Sequence, residues 1–354
     1  MRRITIDAKK IGKLDIKRAA NMLSQGKIVA MPTETVYGLA VRADRKNGVE
    51  KLYSLKERPL DKPFSIALAD PDKATNQYFL TLNPFGHRLI ENFWPGPLTI
   101  VYYKNPEGKV GIRIPSNFIA NNILRLFGSA VFFSSANRSG QKEAISADQV
   151  EEIFDGQIDL IVDGGKADHK ESSTVIDLTY KPFKILREGI VSEKQVAAIF
   201  IKRRILFVCT GNSCRSPMAE YILRKYLQEE RRAVSQRYEI ISAGIAAPEG
   251  RHPPEQLEKV MQEQEGTNIA SFKAKQLTKQ MILSSDYIFT MEDSQKEAIL
   301  KKVPSARART FNLAQFLLSE KISNIPDPIG ESSVFYENVY NLIKKSVNEL
   351  SDWL

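Results

Sequence analysis

The sequence predicts two α/β domains: a twisted, mixed α/β sheet over residues 1–200, then a small doubly wound parallel sheet with a phosphate-binding loop over 203–354. Three observations predict this. At 354 residues the chain exceeds what one hydrophobic core usually serves. Near residue 200 a pattern of many short apolar runs gives way to regular strand–helix alternation. The chain's two cysteines, Cys209 and Cys214, share one short window, VCTGNSCRSP, between an expected strand and an expected helix.

In the first domain, apolar runs rich in β-branched and aromatic residues predict strands at 26–32, 64–69, 96–103, 110–115, 130–136, 158–164, 173–179 and 183–189. Amphipathic stretches predict helices at 15–25, 48–56, 84–92, 117–127 and 146–153. A short helix at 191–200, with Ser192 as its cap, leads into the junction near 200–203 without a Gly-, Ser- or Pro-rich linker. Strands at 204–209, 238–244 and 286–291 then alternate with helices that begin at Pro217 and at 254, 293 and 333.

Hydrophobic residues at 42% and charged residues at 26% suit a globular chain with enough apolar surface for two cores. No run of 18 apolar residues occurs, so no membrane span is expected, and the basic N-terminus has no apolar segment of the secretory type. Two cysteines and three scattered histidines (His87, His169, His252) disfavour a disulfide framework and a Cys/His metal site, and fit a reducing cytoplasm. The net charge of +9 is uneven, with roughly +11 over residues 1–140, which points to an anionic substrate or a polyanionic partner.

The sharpest local signal is Cys209-x5-Arg215. A strand–loop–helix turn aims backbone N–H groups and the helix dipole at one point, making an anion cradle that favours a thiolate. Arg215 supplies a planar fork for phosphoryl oxygens, Ser216 a hydrogen bond to the sulfur, and Asn212 a brace for the loop. Thr210, Gly211, Ser213 and Cys214 complete the loop. The chemistry implied is attack on phosphorus through a cysteinyl-phosphate. A general acid is then required, and Asp327 of NIPDPIGES is the candidate.

With RSPMAE, SAG at 242–244 and SSDYIFTM, these residues resemble the low-molecular-weight protein tyrosine phosphatase family across 203–354. The resemblance implies catalysis by Cys209, Arg215, Ser216 and Asp327 without a cofactor, acting on phosphorylated proteins. Arsenate reductases of this fold need further cysteines downstream, and none follows Cys214. Ser213 stands where relatives acting on phosphoarginine carry a small hydroxyl residue and tyrosine phosphatases a bulky aliphatic one, so arginine is favoured, with tyrosine as the alternative. Cys214 is placed to trap an oxidised Cys209 as a disulfide; a small buried filler is the other reading.

The first domain offers a constellation: Thr33 and Thr35 in PTETVYGL, Lys56, Arg58 and Lys62 in LKERPLDKP, Arg113 in IRIP, Ser135 and Asn137 in SSANRSG, Ser173 in SSTVID and Arg187 in LREG. Many donors with few acceptors at strand ends suit a polyphosphate or carboxylate ligand. The Lys-x-Arg and Ser-x-Asn pairs and the order of these segments resemble the YrdC-like threonylcarbamoyl-AMP synthase family across 7–200. That resemblance implies synthesis of threonylcarbamoyl-AMP from L-threonine, bicarbonate and ATP for tRNA t6A37 modification, handed on to threonylcarbamoyl transferase machinery. Lys56, Arg58, Ser135, Asn137 and Arg187 would then hold ATP, and Thr33, Thr35, Lys62, Arg113 and Ser173 the threonine, with Mg2+ accompanying the nucleotide. Glu143, in the QKEAIS run, departs from the family's pattern and would oppose phosphates unless it faces away. A non-catalytic RNA-binding module is the rival reading of this basic domain.

Overall fold

The computed structural model describes residues 2–6, 13–79, 81–104, 108–317 and 322–354. It divides into two compact units, Met1–Leu82 with Arg88–Ala197, and Asn83–His87 with Ala198–Leu354.

The first unit is built on a ten-stranded sheet in the order β1-β8-β2-β3-β7-β4-β6-β5-β9-β10. Its strands are β1 (Arg2–Thr5), β2 (Val29–Met31), β3 (Gly38–Arg42), β4 (Ser65–Ala67), β5 (Leu98–Tyr103), β6 (Lys109–Arg113), β7 (Val131–Ser135), β8 (Leu160–Asp163), β9 (Thr174–Asp177) and β10 (Lys184–Arg187). Pairing is mixed: β4–β6 and β5–β9 are parallel, whereas β5–β6, β3–β7 and β9–β10 are antiparallel. All eight expected strands are present. The sequence reading missed β1, whose RRIT is mostly polar and which pairs with β8 at the sheet's edge, and β3, whose GLAVR follows directly on the PTETVY loop.

Period-two alternation sorts the residues of the central strands. On β5, Leu98 and Ile100 are fully buried in the core while Thr99 and Val101 face the opposite side. On β6, Ile112 goes to the core and Gly111 and Arg113 line the other face; on β9, Ile176 goes to the core and Val175 and Asp177 line it. The register sets Thr99 beside Val175 and Val101 beside both Gly111 and Asp177. That face is the floor of a cleft.

Helix ends follow ordinary capping chemistry. Asn117 accepts hydrogen bonds from the N–H groups of Ile119 and Ala120 (both 3.1 Å) at the start of helix Phe118–Phe127, and Gly128 closes it in the left-handed conformation. Ser192 accepts from Gln195 N–H (3.3 Å) before helix Glu193–Ile201, as its position predicts.

The second unit carries a four-stranded, all-parallel sheet, β12-β11-β13-β14, formed by β11 (Arg203–Cys209), β12 (Tyr238–Gly244), β13 (Tyr287–Thr290) and β14 (Thr310–Asn312). Strand β11 is buried from Ile205 to Cys209, as expected of a central parallel strand with helices on both faces. The long C-terminal helix Ser333–Trp353 packs Tyr336, Val339, Tyr340, Ile343 and Val347 into the core on one side. The helix after β11, Arg215–Glu229, begins at Arg215 rather than at Pro217, because a proline in a helix's first turn loses no hydrogen bond.

Candidate functional site

In the first unit, a cleft of about 500 Å³ opens over the floor formed by β4, β5, β6, β7 and β9. Seven of the ten residues singled out from the sequence line it: Thr33, Arg58, Lys62, Arg113, Ser135, Ser173 and Arg187. The other three, Thr35, Lys56 and Asn137, stand behind the wall, 0%, 2% and 8% exposed.

Lys56 is the clearest case. It ends helix Lys46–Lys56, and the left-handed Glu57 that follows turns the chain so that Lys56 and Arg58 diverge. The Lys56 ammonium donates to Ser135 O (2.5 Å), Asn137 O (2.7 Å) and Asn137 Oδ1 (3.0 Å). Its three protons are thereby engaged. A charge buried alone would cost several kcal/mol, and charge-assisted hydrogen bonds of about 1.5–3 kcal/mol each offset that. Burial, with Arg58 beside it, lowers the Lys56 pKa to about 8. Asn137 Oδ1 also accepts from Ser135 Oγ (2.7 Å), and its amide donates to Gln141 O (2.7 Å). Lys56 and Asn137 thus fix the loop that presents Ser135.

Arg58 donates to Lys62 O (2.7 Å) and Pro63 O (3.1 Å) and lies 5.1 Å over the Phe64 ring. At the other rim, Arg187 donates to Ser173 O (3.0 Å) and Ser173 Oγ (3.1 Å), and Ser173 Oγ pairs with Thr99 Oγ1 (3.1 Å). Desolvation by the cleft walls lowers the pKa of both arginines. Arg113 donates from Nη2 to Glu34 Oε1 (2.7 Å) and Thr35 Oγ1 (2.8 Å) and from Nε to Gly96 O (3.2 Å). Thr33 donates to Val36 O (2.5 Å), so Thr35 is the donor in the 2.8 Å Thr33–Thr35 contact.

Acceptors are more numerous than the sequence led us to expect. Asp61 and Asp177 line the cleft, and Glu34 stands behind Arg113. Glu143 is not among the residues that line the cleft, yet its Oε1 accepts from Ser172 Oγ (2.6 Å), a lining residue, and its charge favours the protonated forms of Lys56 and Arg187. Among the described residues no group of three or more His, Cys, Asp or Glu could hold a metal ion. Single carboxylates fit a Mg2+ bound chiefly by nucleotide phosphates and water.

In the second unit, Cys209 ends β11 and Asn212 turns the loop with a left-handed φ of 49°. The Cys209 sulfur lies 3.0 Å from Ser216 Oγ and accepts from Asn212 N–H (3.1 Å). The Asn212 amide donates to Ser216 Oγ and Ser242 Oγ (both 2.9 Å) and accepts from Lys275 N–H (2.8 Å). Ser242 Oγ donates a hydrogen bond to Glu220 Oε2 (2.6 Å), a carboxyl whose pKa burial raises. The loop is therefore braced by a buried network. Gly244 lies against it: a Cβ there would meet Thr210 O at 2.6 Å and Asn212 N at 2.7 Å.

Arg215, 1% exposed, pairs with Glu292 and Asp327 and donates to Ile325 O (2.9 Å). Cys209 thus contacts Ser216, and Arg215, the residue before Ser216 in the chain, contacts Asp327. Gln295, fully buried, ties Thr210 Oγ1 (3.2 Å) to Glu292 (3.1 Å). Sequence reasoning missed Glu292 and Gln295; MEDSQ, directly after β13, is where a helix start was expected. Ser213 is buried with its Oγ 3.7 Å from the Cys214 sulfur, which also lies 3.5 Å from Tyr336 Oη. Both cysteines are free, and burial raises the Cys214 pKa.

Known proteins match both units. The Sua5/YciO/YrdC family, described as "Telomere recombination", matches residues 21–189, and the family "Low molecular weight phosphotyrosine protein phosphatase" matches residues 204–354. The chain is similar to threonylcarbamoyl-AMP synthase of Pyrococcus abyssi, 34% identical over 213 residues that cover 58% of this chain and 62% of that protein. It is also similar to threonylcarbamoyl-AMP synthase of Rattus norvegicus, 30% identical over 200 residues covering 52% and 70%. A solved structure of a Pyrococcus abyssi Sua5 variant, 31% identical, superposes with a TM-score of 0.52 and covers 64% of this chain and 76% of that one. The chain spans less than two thirds of the length of the Pyrococcus relative. It belongs to the threonylcarbamoyl-AMP synthase family, as a Sua5/YrdC domain fused to a low-molecular-weight phosphotyrosine protein phosphatase domain.

Proposed function

We propose that the chain is bifunctional, with the division near residues 200–203. The first domain makes L-threonylcarbamoyl-AMP from L-threonine, bicarbonate and ATP. Bicarbonate takes up a proton and loses water to give CO2, and the neutral threonine amine adds to it and loses a proton to form a carbamate. A carbamate oxygen attacks the α-phosphorus, and the bond to pyrophosphate breaks. The supporting observation is one cleft that gathers Arg58, Lys62, Arg113 and Arg187 with Ser135 and Ser173. Arg58 and Arg187 suit the charge that develops on the triphosphate, and Arg113 with Ser173 suits the amino acid. Lys56 and Asn137 act through the Ser135 loop, Thr33 and Thr35 through Arg113, and Mg2+ enters with the nucleotide. The product would feed tRNA t6A37 modification. Against a purely RNA-binding module stands the burial of Lys56 and Asn137, which leaves neither on a face that RNA could touch. Pyrophosphate release that requires both threonine and bicarbonate, and that is lost in Lys56→Ala, tests this reading.

The second domain hydrolyses phosphorylated protein side chains. Cys209 attacks phosphorus, Arg215 and the loop N–H groups hold the equatorial oxygens, and Asp327 protonates the leaving atom. Asp327 then takes a proton from water, which attacks the cysteinyl-phosphate and releases phosphate. The carrying observation is the contact of Cys209 with Ser216 and of Arg215 with Asp327. Phosphoarginine is the favoured substrate, because Ser213 is small and polar where an aliphatic side chain would pack on a flat ring. Matched phosphoarginine and phosphotyrosine peptides, assayed with wild type and Ser213→Ile, decide it. Arginine preference that reverses in the variant supports this reading; tyrosine preference in wild type replaces it.

A further inference from the structure

The cleft of the first unit has to accept two kinds of anion, and its arginines are not built alike. Arg58 is bonded to the carbonyls of Lys62 and Pro63, and Arg187 to the carbonyl and hydroxyl of Ser173. Among the described residues, only Arg113 of these three has a carboxylate at ion-pair distance, Glu34 at 2.7 Å. Glu34 is 4% exposed, and its second oxygen accepts from the N–H groups of Ser116 (3.1 Å) and Asn117 (3.2 Å) at the start of helix Phe118–Phe127. Both of its oxygens are thereby engaged, which fixes the carboxylate in place.

The protons around Arg113 can be followed one by one. Nε donates to Gly96, and Nη2 donates to Glu34 and Thr35. Thr35 donates to Thr33, and Thr33 to Val36 O. Nη1 makes no hydrogen bond among the described residues and is left for a ligand in the cleft that Arg113 lines. The Arg113–Glu34 pair thus offers donors from Nη1 without a net positive charge of its own.

We propose that Glu34 is a specificity-determining residue: its pairing with Arg113 reserves that guanidinium for the carboxylate of a zwitterionic amino acid and denies it to phosphate groups. A neutral ion pair repays a zwitterion's single carboxylate through hydrogen bonding, but gives a multiply charged phosphate little of the Coulomb attraction it finds at Arg58 and Arg187. This inference rests on the reading of the first domain as a threonylcarbamoyl-AMP synthase.

The test uses the full chain and methylenediphosphonate, a pyrophosphate analogue that cannot be turned over. Equilibrium dialysis of labelled L-threonine without ATP shows whether the diphosphonate displaces it, and product formation from labelled bicarbonate gives its inhibition against varied threonine. In wild type the diphosphonate should leave threonine bound. In Glu34→Gln, which keeps an oxygen for the Ser116 and Asn117 N–H groups, it should compete with threonine with an inhibition constant about 10-fold lower. A merely damaged site would bind anions less well, so a gain separates the two explanations. An unchanged inhibition constant in a folded Glu34→Gln chain overturns the proposal, and so does displacement of threonine in wild type, which needs no variant. A wild-type chain that binds threonine but forms no adenylate refutes the synthase reading and leaves the dialysis arm, run on wild type and Glu34→Gln, to decide this proposal.

Discussion

Arg215 holds Asp327 in an ion pair across the mouth of the cysteine loop, while its other terminal nitrogen is held by Glu292. On the proposed mechanism an incoming phosphate dianion would compete for the same guanidinium and so free Asp327 to deliver a proton. Asp327→Asn should lower kcat about 10²- to 10³-fold for substrates with a poor leaving group, and much less for p-nitrophenyl phosphate. Steady-state rates with both substrate types check this. Equal losses for the two would remove Asp327 from the acid role.

The Lys56 ammonium has a folded pKa of about 8, below its ordinary 10.5, because burial penalises the charge. Such a depressed base binds fewer protons folded than unfolded between pH 8 and 10.5. The burial penalty is therefore present below pH 8 and is relieved as pH rises through that window. Activity should run the opposite way, because a neutral amine has one N–H too few for its three acceptors and the Ser135 loop loosens. Pyrophosphate formation should decline with an apparent pKa near 8, a limb that Lys56→Arg would move upward. A pH–rate profile on both chains decides, and an identical limb in the variant assigns it to another group.

Gly244→Ala should abolish phosphatase activity, since a methyl group would lie 2.6–2.7 Å from loop backbone that cannot yield without dissolving the cradle. Tungstate affinity reads the loop directly and should fall at least about 100-fold. Retained tungstate binding would show that the loop tolerates displacement.

Glu143 places a negative charge within reach of Lys56 and Arg187. Glu143→Gln can keep the hydrogen bond from Ser172 and removes the repulsion of a triphosphate. The KM for ATP should fall about 2- to 5-fold, most clearly at low ionic strength. A rise would mean that the carboxylate assists the nucleotide.

What could be read in advance was local. The loop from Cys209 to Arg215 is seven consecutive residues, and strand–helix alternation around it forces one geometry. The eight strands of the first unit were legible because β-branched runs between turn residues admit few alternatives. The short strands β1, β3 and β14 were not, since four, five and three residues carry little periodicity. The partners of the functional arginines were equally hidden. Glu34 lies 79 residues from Arg113 and Glu292 lies 77 from Arg215, and nothing in either local stretch marks an ion pair.

The sequence by itself determined two α/β units, the cysteine loop and the identity of the cleft's donors, because chain-local spacing dictates these. Only the tertiary structure decided which donors face the ligand. The left-handed turn at Glu57 sends Lys56 into the wall and Arg58 toward the cleft, although one residue separates them. Whether a buried charge is anchored or offered depends on which acceptors the fold brings within hydrogen-bonding distance. That proximity comes from strands and loops far apart along the chain.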